Sequence, residues 1–405
     1  MRTLDLEAVR SVDVADVYKA GRLAARLRRT AGGVEFAYLP DYLDDGVPVA
    51  TTLPLTATPR LTPAGAVPPF FAGLLPEGRR LSSLRRAVKT SADDELSLLL
   101  AVGRDPIGDA QVAPAGEVPT AAEALVTVEG SFAEIRFADL LADAGIVDQV
   151  ALPGVQEKVS ARIISVPVGM ADHRYILKLD PPEYPHVVVN EAYFLGVARA
   201  SGMAVADTEV VYDATGRPGL LVRRFDRAVR ADGTIKPLAC EDACQLLDRW
   251  PGDKYNVSSE ALTAVVAAVC AAGAVAVRDV FRQLCFAWAT GNGDVHAKNI
   301  SVIAGDDGEY RVAPAYDLPS TLPYGDRSLA LSLAGKTKGL SRRRFLEFAS
   351  TVGLTEKAAT RVLDATLTAT AGVIDELNSG VLPFDRPTIR ATIRELKFRR
   401  QQLTA

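Results

Sequence analysis

The feature that most constrains the fold is a change of pattern along the chain: strand signals dominate before about residue 240 and helical signals after it. Residues 1 to about 110 read as a separate β-rich unit. VYKAGRLAARLRR and VEFAYLPDYL are two runs around the turn signal TAGG, as in a hairpin. A Pro/Thr-rich stretch, the helical piece LLPEGRRLSSLRRAVKT and a Gly/Pro-rich connection with one short strand follow. From about 147 to 225, KVSARIISVPV and HRYILKLD predict strands, and VVNEAYFLGVARASG predicts an amphipathic helix closing at Gly202. TEVVYD and GLLVRRFD predict a hairpin around ATGRPG.

Beyond 240 the helical pattern is interrupted once, by ISVIAGDDGEYRVAPAYD, which reads as a hairpin turning at Gly305–Gly308. The uncharged run ALTAVVAAVCAAGAVAV, residues 261–277, is mostly alanine and slightly shorter than the roughly 20 residues of a membrane span. It predicts two core helices broken near Gly273, with Ser258 or Ser259 as N-cap. The last segment puts Ile389, Ile393 and Leu396 on one helical face. The first residues carry acids and no apolar run, so the expectation is a cytoplasmic protein without a secretory signal or membrane segment.

A chain of 405 residues exceeds one ordinary core, so two or three domains are expected. The formal net charge of −4 argues against a protein that coats nucleic acid by itself. Basic clusters at Arg22, Arg26, Arg28 and Arg29, and at Arg79, Arg80, Arg85 and Arg86, read as solvated faces. The thiols Cys240, Cys244, Cys270 and Cys285 form no disulfide framework, and no nearby pair completes a zinc site, so buried reduced cysteines are expected.

The densest polar cluster is TGNGDVHAKNISV, directly after the apolar helix VFRQLCFAWA. Phosphoryl transfer from ATP needs a carboxylate to take the acceptor proton, an amide or carboxylate oxygen for Mg²⁺, and a second carboxylate linking metal to phosphates. Asp294 and Asn299 have the D-x-x-x-x-N spacing of such a catalytic loop, and Asp317 follows one hairpin later in the context AYDLP. Each alone has an ordinary explanation: a turn, a cap, or a structural histidine at His296. Lys178 lies inside the apolar strand YILKLD; it is either a snorkelling edge lysine or a phosphate-binding lysine partnered by Glu191 on the next helix. The order of glycine turn at 154, strand lysine, helix glutamate, hairpin, helices and polar loop is that of a protein kinase.

The sequence resembles the HipA-type toxin kinases over nearly its whole length. GVQEK at 154–158, RRFDR at 223–227, EDACQ at 241–245, GDVHAKNISV at 293–302 and YDL at 316–318 carry the resemblance, with FFAGLLPEGRR and GRDPIGDAQV in the first unit. The resemblance implies an α+β, protein-kinase-like bilobal fold with an additional β-rich N-terminal subdomain (1–110), a kinase N-lobe (111–238) and a helical C-lobe (239–405). It implies ATP and Mg²⁺ as cofactors, with Asp294 as proton acceptor and Lys178 and Glu191 as catalytic partners. Pro153, Gly154, Val155, Gln156, Glu157 and Lys158 correspond to the phosphate loop, and Arg223, Arg224 and Phe225 to the segment near the adenine. His296, Lys298 and Asn299 would lie against nucleotide and metal, with Tyr316 and Asp317 at the second metal position and Asn299 and Asp317 as metal ligands. The family's partners would be a HipB-like helix-turn-helix antitoxin, DNA through that complex, and a protein substrate such as an aminoacyl-tRNA synthetase.

One departure stands out. Family members commonly carry a serine ahead of the phosphate-loop glycine whose autophosphorylation silences the enzyme, whereas this chain reads QVALPGVQEK, with Ala151 and Pro153 there. That switch is expected to be absent or moved. A small-molecule kinase of related fold would use the same base and metal residues. A non-catalytic co-repressor would need none of them.

Overall fold

The computed structural model describes residues 6–119, 126–128, 130–143, 164–170 and 173–405. The expected phosphate loop, Pro153 to Lys158, and Ala151 before it lie outside the described residues.

The first unit is a sheet ordered β4-β3-β2-β1-β5, built from β1 (Val14–Lys19), β2 (Arg22–Thr30), β3 (Gly33–Tyr38), β4 (Arg60–Thr62) and β5 (Ala110–Pro114). Helices α1 (Pro40–Leu43), α2 (Pro69–Gly73), α3 (Gly78–Val88) and α4 (Glu95–Val102) complete it. The run VYKAGRLAARLRR, expected as one strand, is itself a hairpin of β1 and β2. Ala20 and Gly21 both take positive φ, the conformation of a tight hairpin turn, and an alanine there gives little turn signal. The expected hairpin around TAGG is β2–β3. Gly33 is required at its end, because a Cβ there would lie 2.0 Å from the Thr62 carbonyl oxygen. Leu27, Phe36, Phe71 and Leu99 pack the core of this unit. Three arginines of β2 are paired: Arg22 with Asp45, Arg26 with Asp16 and Arg29 with Asp94.

The second sheet runs β6-β7-β8-β10-β9: β6 (Val126–Thr127), β7 (Ile164–Met170), β8 (His173–Leu179), β9 (Thr208–Tyr212) and β10 (Pro218–Arg223). Helix α5 (Phe137–Asp143) precedes β7, and α6 (Val187–Ala200) packs against β9 and β10. The Asp180 carboxylate accepts from the backbone N–H groups of His186 and Val188, at 2.9 and 2.8 Å, and so fixes where α6 begins. Gly202 closes it at φ +77, as its position predicts.

Strands β11 (Arg227–Val229) and β12 (Ile235–Pro237) form a small hairpin leading into the helical lobe. That lobe carries β13 (Cys240–Asp242), β14 (Ser301–Ala304) and β15 (Tyr310–Val312), paired in that order. Its helices are α7 (Ala243–Leu246), α8 (Ser259–Val269), α9 (Gly273–Thr290), α10 (Arg342–Thr351), α11 (Glu356–Ala369), α12 (Val373–Asn378) and α13 (Arg386–Thr404). Ser258 caps α8 by accepting from Ala261 N–H, and the chain breaks at Gly273, where a Cβ would come 2.8 Å from the Ala267 carbonyl. No helix among the described residues is long and apolar enough to cross a membrane.

Trp288, Phe281, Phe345 and Phe348 centre the core, which also takes in Cys244, Cys270 and Cys285. All four cysteines are buried and free. Arg399 on α13 is fully buried over the Trp288 ring, 3.9 Å from its centroid. Its guanidinium donates to the carbonyls of Trp288 and Arg327 and to Glu395, which makes a buried cation tolerable.

Candidate active site

Lys178 is not an edge lysine, because β8 lies between β7 and β10. Its ammonium donates to both Glu191 oxygens, at 2.7 and 2.9 Å, and to Asp317 Oδ1 at 3.3 Å. Burial alone would lower the Lys178 pKa, but the Asp317 and Glu191 carboxylates outweigh it and hold the ammonium charged. Glu191 is 1 % exposed; burial raises its pKa against the opposing pull of Lys178. Strand, helix and the segment after β15 thus meet at one ammonium.

Asp317 sits at φ +58, a left-handed conformation that aspartate tolerates better than most residues. The segment behind it is pinned to α6 by Asn190, whose amide donates to Ser320 O and accepts from Ser320 N–H. Asn299 Nδ2 donates to Asp317 Oδ2 at 2.7 Å, while its Oδ1 accepts from His296 N–H. His296 also caps this short turn, its Nδ1 accepting from Lys298 N–H. Among the described residues no group of three His, Cys, Asp or Glu side chains could hold a metal. The oxygens of Asp317 and Asn299 are nevertheless the hard donors that Mg²⁺ takes. The 2.7 Å contact between them runs from Asn299 Nδ2 to Asp317 Oδ2, so the two side chains reach one point beside Lys178. Asn299 would present its oxygen to the ion only by turning its amide and giving up the hydrogen bond from His296 N–H.

Asp294 is buried, at 3 % exposure, in the loop after α9. Its N–H donates to Asn292 Oδ1, and its Oδ1 accepts from the Tyr255 hydroxyl at 3.0 Å. Burial and the Asp294 charge raise the Tyr255 pKa, so the phenol remains a donor. Gly293 admits no side chain, since a Cβ would meet the Ser328 carbonyl at 2.4 Å. Tyr255 stacks edge-on against His296, 5.0 Å between centroids. Sequence reasoning missed Tyr255, which lies some forty residues upstream in an ordinary loop with no local motif.

A cavity of about 330 Å³ opens between the lobes. Ile176, Val222, Phe225 and Tyr316 form apolar wall, and Lys178 reaches it from β8. Phe225 and Tyr316 lie with ring centroids 5.7 Å apart. Tyr316 takes a different part from the metal position expected of it. Its hydroxyl donates to Lys298 O at 2.6 Å and contacts Ser301 Oγ, leaving the ring as wall. Lys298 lines the cavity, but its ammonium is held by Asp242 Oδ2 at 2.8 Å and the Gly73 carbonyl at 3.0 Å. Arg224 also reaches the wall with its guanidinium already bound to Asp105, Asp226 and the Pro106 carbonyl. Arg223 is half exposed and stands 3.7 Å from Asp207. Lys298 and Arg224 therefore join the N-terminal unit to the two lobes, a part that neighbouring residues in sequence do not disclose. Glu241 adds to this joint by accepting from Thr51, and Gln245 by donating to Phe70 O.

Two lobes about a cleft, with an extra unit closing one side, are the architecture of the protein-kinase-like class. Residues 150–374 match the family model for the HipA-like C-terminal domain, and residues 15–113 match the HipA N-terminal domain. The chain is 30% identical over 399 residues to Y4mE of Sinorhizobium fredii, covering 90% of this chain and 93% of that one. It is 26% identical over 329 residues to the serine/threonine-protein kinase toxin HipA of Shewanella oneidensis, 75% of this chain and 74% of that protein. The structure of Shewanella oneidensis HipA with HipB and operator DNA superposes with a TM-score of 0.77 at 21% identity. That match covers 96% of this chain and 97% of the other. The chain belongs to the HipA family of kinases.

Proposed function

We propose that this chain is an ATP-dependent serine/threonine protein kinase acting as the toxin of a toxin–antitoxin pair. The observation that carries the reading is the Lys178 ammonium shared by Glu191 and Asp317, with Asn299 of the Asp294 loop bonded to the same Asp317. Lys178, held by Glu191, binds the α- and β-phosphates. Asp294, oriented by Tyr255 and Asn292, accepts the proton of the acceptor hydroxyl. Asn299 and Asp317 hold Mg²⁺, which supplies neutralisation of charge developing on the transferred phosphoryl group. The adenine lies against Phe225 and Tyr316, and Pro153 to Lys158 form the phosphate loop. In this reading the units are 1–110, 111–238 and 239–405, and the protein works in the cytoplasm.

The substrate proposed is a translation component such as an aminoacyl-tRNA synthetase, and the neutralising partner is a helix-turn-helix antitoxin through which DNA is reached. Support for the partner comes from the Shewanella oneidensis relative, whose structure contains HipB and operator DNA. The test is transfer of labelled phosphate from ATP with Mg²⁺ to lysate proteins, run on the parent and on Asp294→Gln. A discrete labelled band with the parent alone supports the reading. Label confined to small molecules points to a small-molecule kinase, and no transfer by the parent points to a co-repressor without catalysis.

A further inference from the structure

Five cationic side chains line the interlobe cavity: Lys178, Lys298, Arg223, Arg224 and Arg80. The first four have counter-ions, namely Glu191 and Asp317, Asp242, Asp207, and Asp105 with Asp226. Arg80 has neither a hydrogen bond nor an ion pair among the described residues. Burial pushes its pKa down to about 10; nearby Arg224 adds to the depression and Asp105 opposes it. A half-buried arginine that lines a cleft and has no carboxylate partner among the described residues keeps its donors for an anion that enters.

The start of α3 is built to hold that side chain over the cleft. Glu77, just ahead of the helix, is ion-paired with Lys254, whose carbonyl accepts from Ala297 in the Asp294 loop. Arg79 turns the other way and binds Glu183, between β8 and α6, at 2.7 Å. Two residues just ahead of Arg80 are thus tied to different lobes, and Arg80 is left facing the space between them.

We propose that Arg80 binds the phosphate chain of the nucleotide, so that the N-terminal unit contributes a ligand-binding residue to the kinase cleft. This rests on the nucleotide reading above. The guanidinium offers two parallel donors to phosphate oxygens, and among the described residues no carboxylate is bonded to either. Binding the nucleotide would also favour the docked position of the N-terminal unit, because the cation comes from that unit.

The test is the affinity of purified parent, Arg80→Gln and Arg80→Lys for ATP, ADP, AMP and adenosine by calorimetry, with melting temperatures as a control for folding. Arg80→Gln is expected to weaken ATP by about 10-fold or more, with the effect shrinking along the series and absent for adenosine. Arg80→Lys is expected to retain part of the lost affinity. ATP affinity within twofold of the parent in Arg80→Gln would overturn the proposal, as would an equal loss for adenosine, which marks a packing role. A parent that binds none of the four ligands would instead bring down the nucleotide reading itself.

Discussion

The Tyr255 hydroxyl donates to Asp294 Oδ1 at 3.0 Å, so the carboxylate assigned as proton acceptor is oriented by a residue from another loop. Burial and the Asp294 charge raise the Tyr255 pKa, so the phenol keeps the proton it donates. Tyr255→Phe removes the donor and keeps the ring against His296. Phosphate transfer is expected to fall about 10-fold, while ATP affinity stays within twofold. Steady-state rates together with calorimetric ATP binding separate the two. An unchanged rate would remove Tyr255 from the site.

Lys178 is the only described cation bonded to Glu191 and Asp317, and losing it leaves two buried carboxylates facing each other. Lys178→Met is expected to reduce transfer by about 10²-fold or more and to lower the melting temperature. Glu191→Gln keeps a hydrogen-bond acceptor for the ammonium and removes one charge, so its loss of rate is expected to be smaller, about 10-fold. If the order of the two variants is reversed, the glutamate and not the lysine is the centre of this cluster.

Asp213 follows β9 and organises the turn into β10. It accepts from Thr215 N–H and hydroxyl, from Arg217 N–H and from Phe137 N–H. Burial would raise its pKa, yet these hydrogen bonds outweigh burial and depress it to about 2. A carboxyl depressed below its unfolded value stabilises the fold above about pH 4, and that contribution is lost as pH falls from about 4 to about 2. Asp213→Asn has no charge to titrate. Chemical denaturation across this window is expected to show a shallower acid loss in the variant; parallel curves would contradict the assignment.

Arg399 has no exposure and spends its donors on Trp288 O, Arg327 O and Glu395. Arg399→Ala is expected to cost about 2–4 kcal/mol in urea unfolding, from lost packing on Trp288 and orphaned acceptors. Arg399→Lys should recover little, since an ammonium lacks the planar fork that reaches three acceptors at once.

The sequence by itself determined several of the elements and the order in which they follow one another. Periodicity and turn residues specify the β9–β10 and β14–β15 hairpins, the α8–α9 break at Gly273 and the closing of α6 at Gly202, because these depend on neighbours within a few residues. Ala20–Gly21 escaped that reading, since an alanine at positive φ is imposed by the strands around it. The chemistry of Asp294, Asn299, Asp317 and Lys178 was also legible, as charged and amide groups in apolar surroundings or at a telling spacing. Tertiary structure alone decided which of them meet. It bonded Lys178 to Asp317, 139 positions away, and brought Tyr255 to Asp294. It also committed Lys298 and Arg224, expected at the nucleotide, to the joint with the N-terminal unit, and left Arg80 facing the cavity. The reason is physical: a buried charge takes whichever counter-ion the packing brings within reach, and that partner is set by the fold rather than by adjacent sequence.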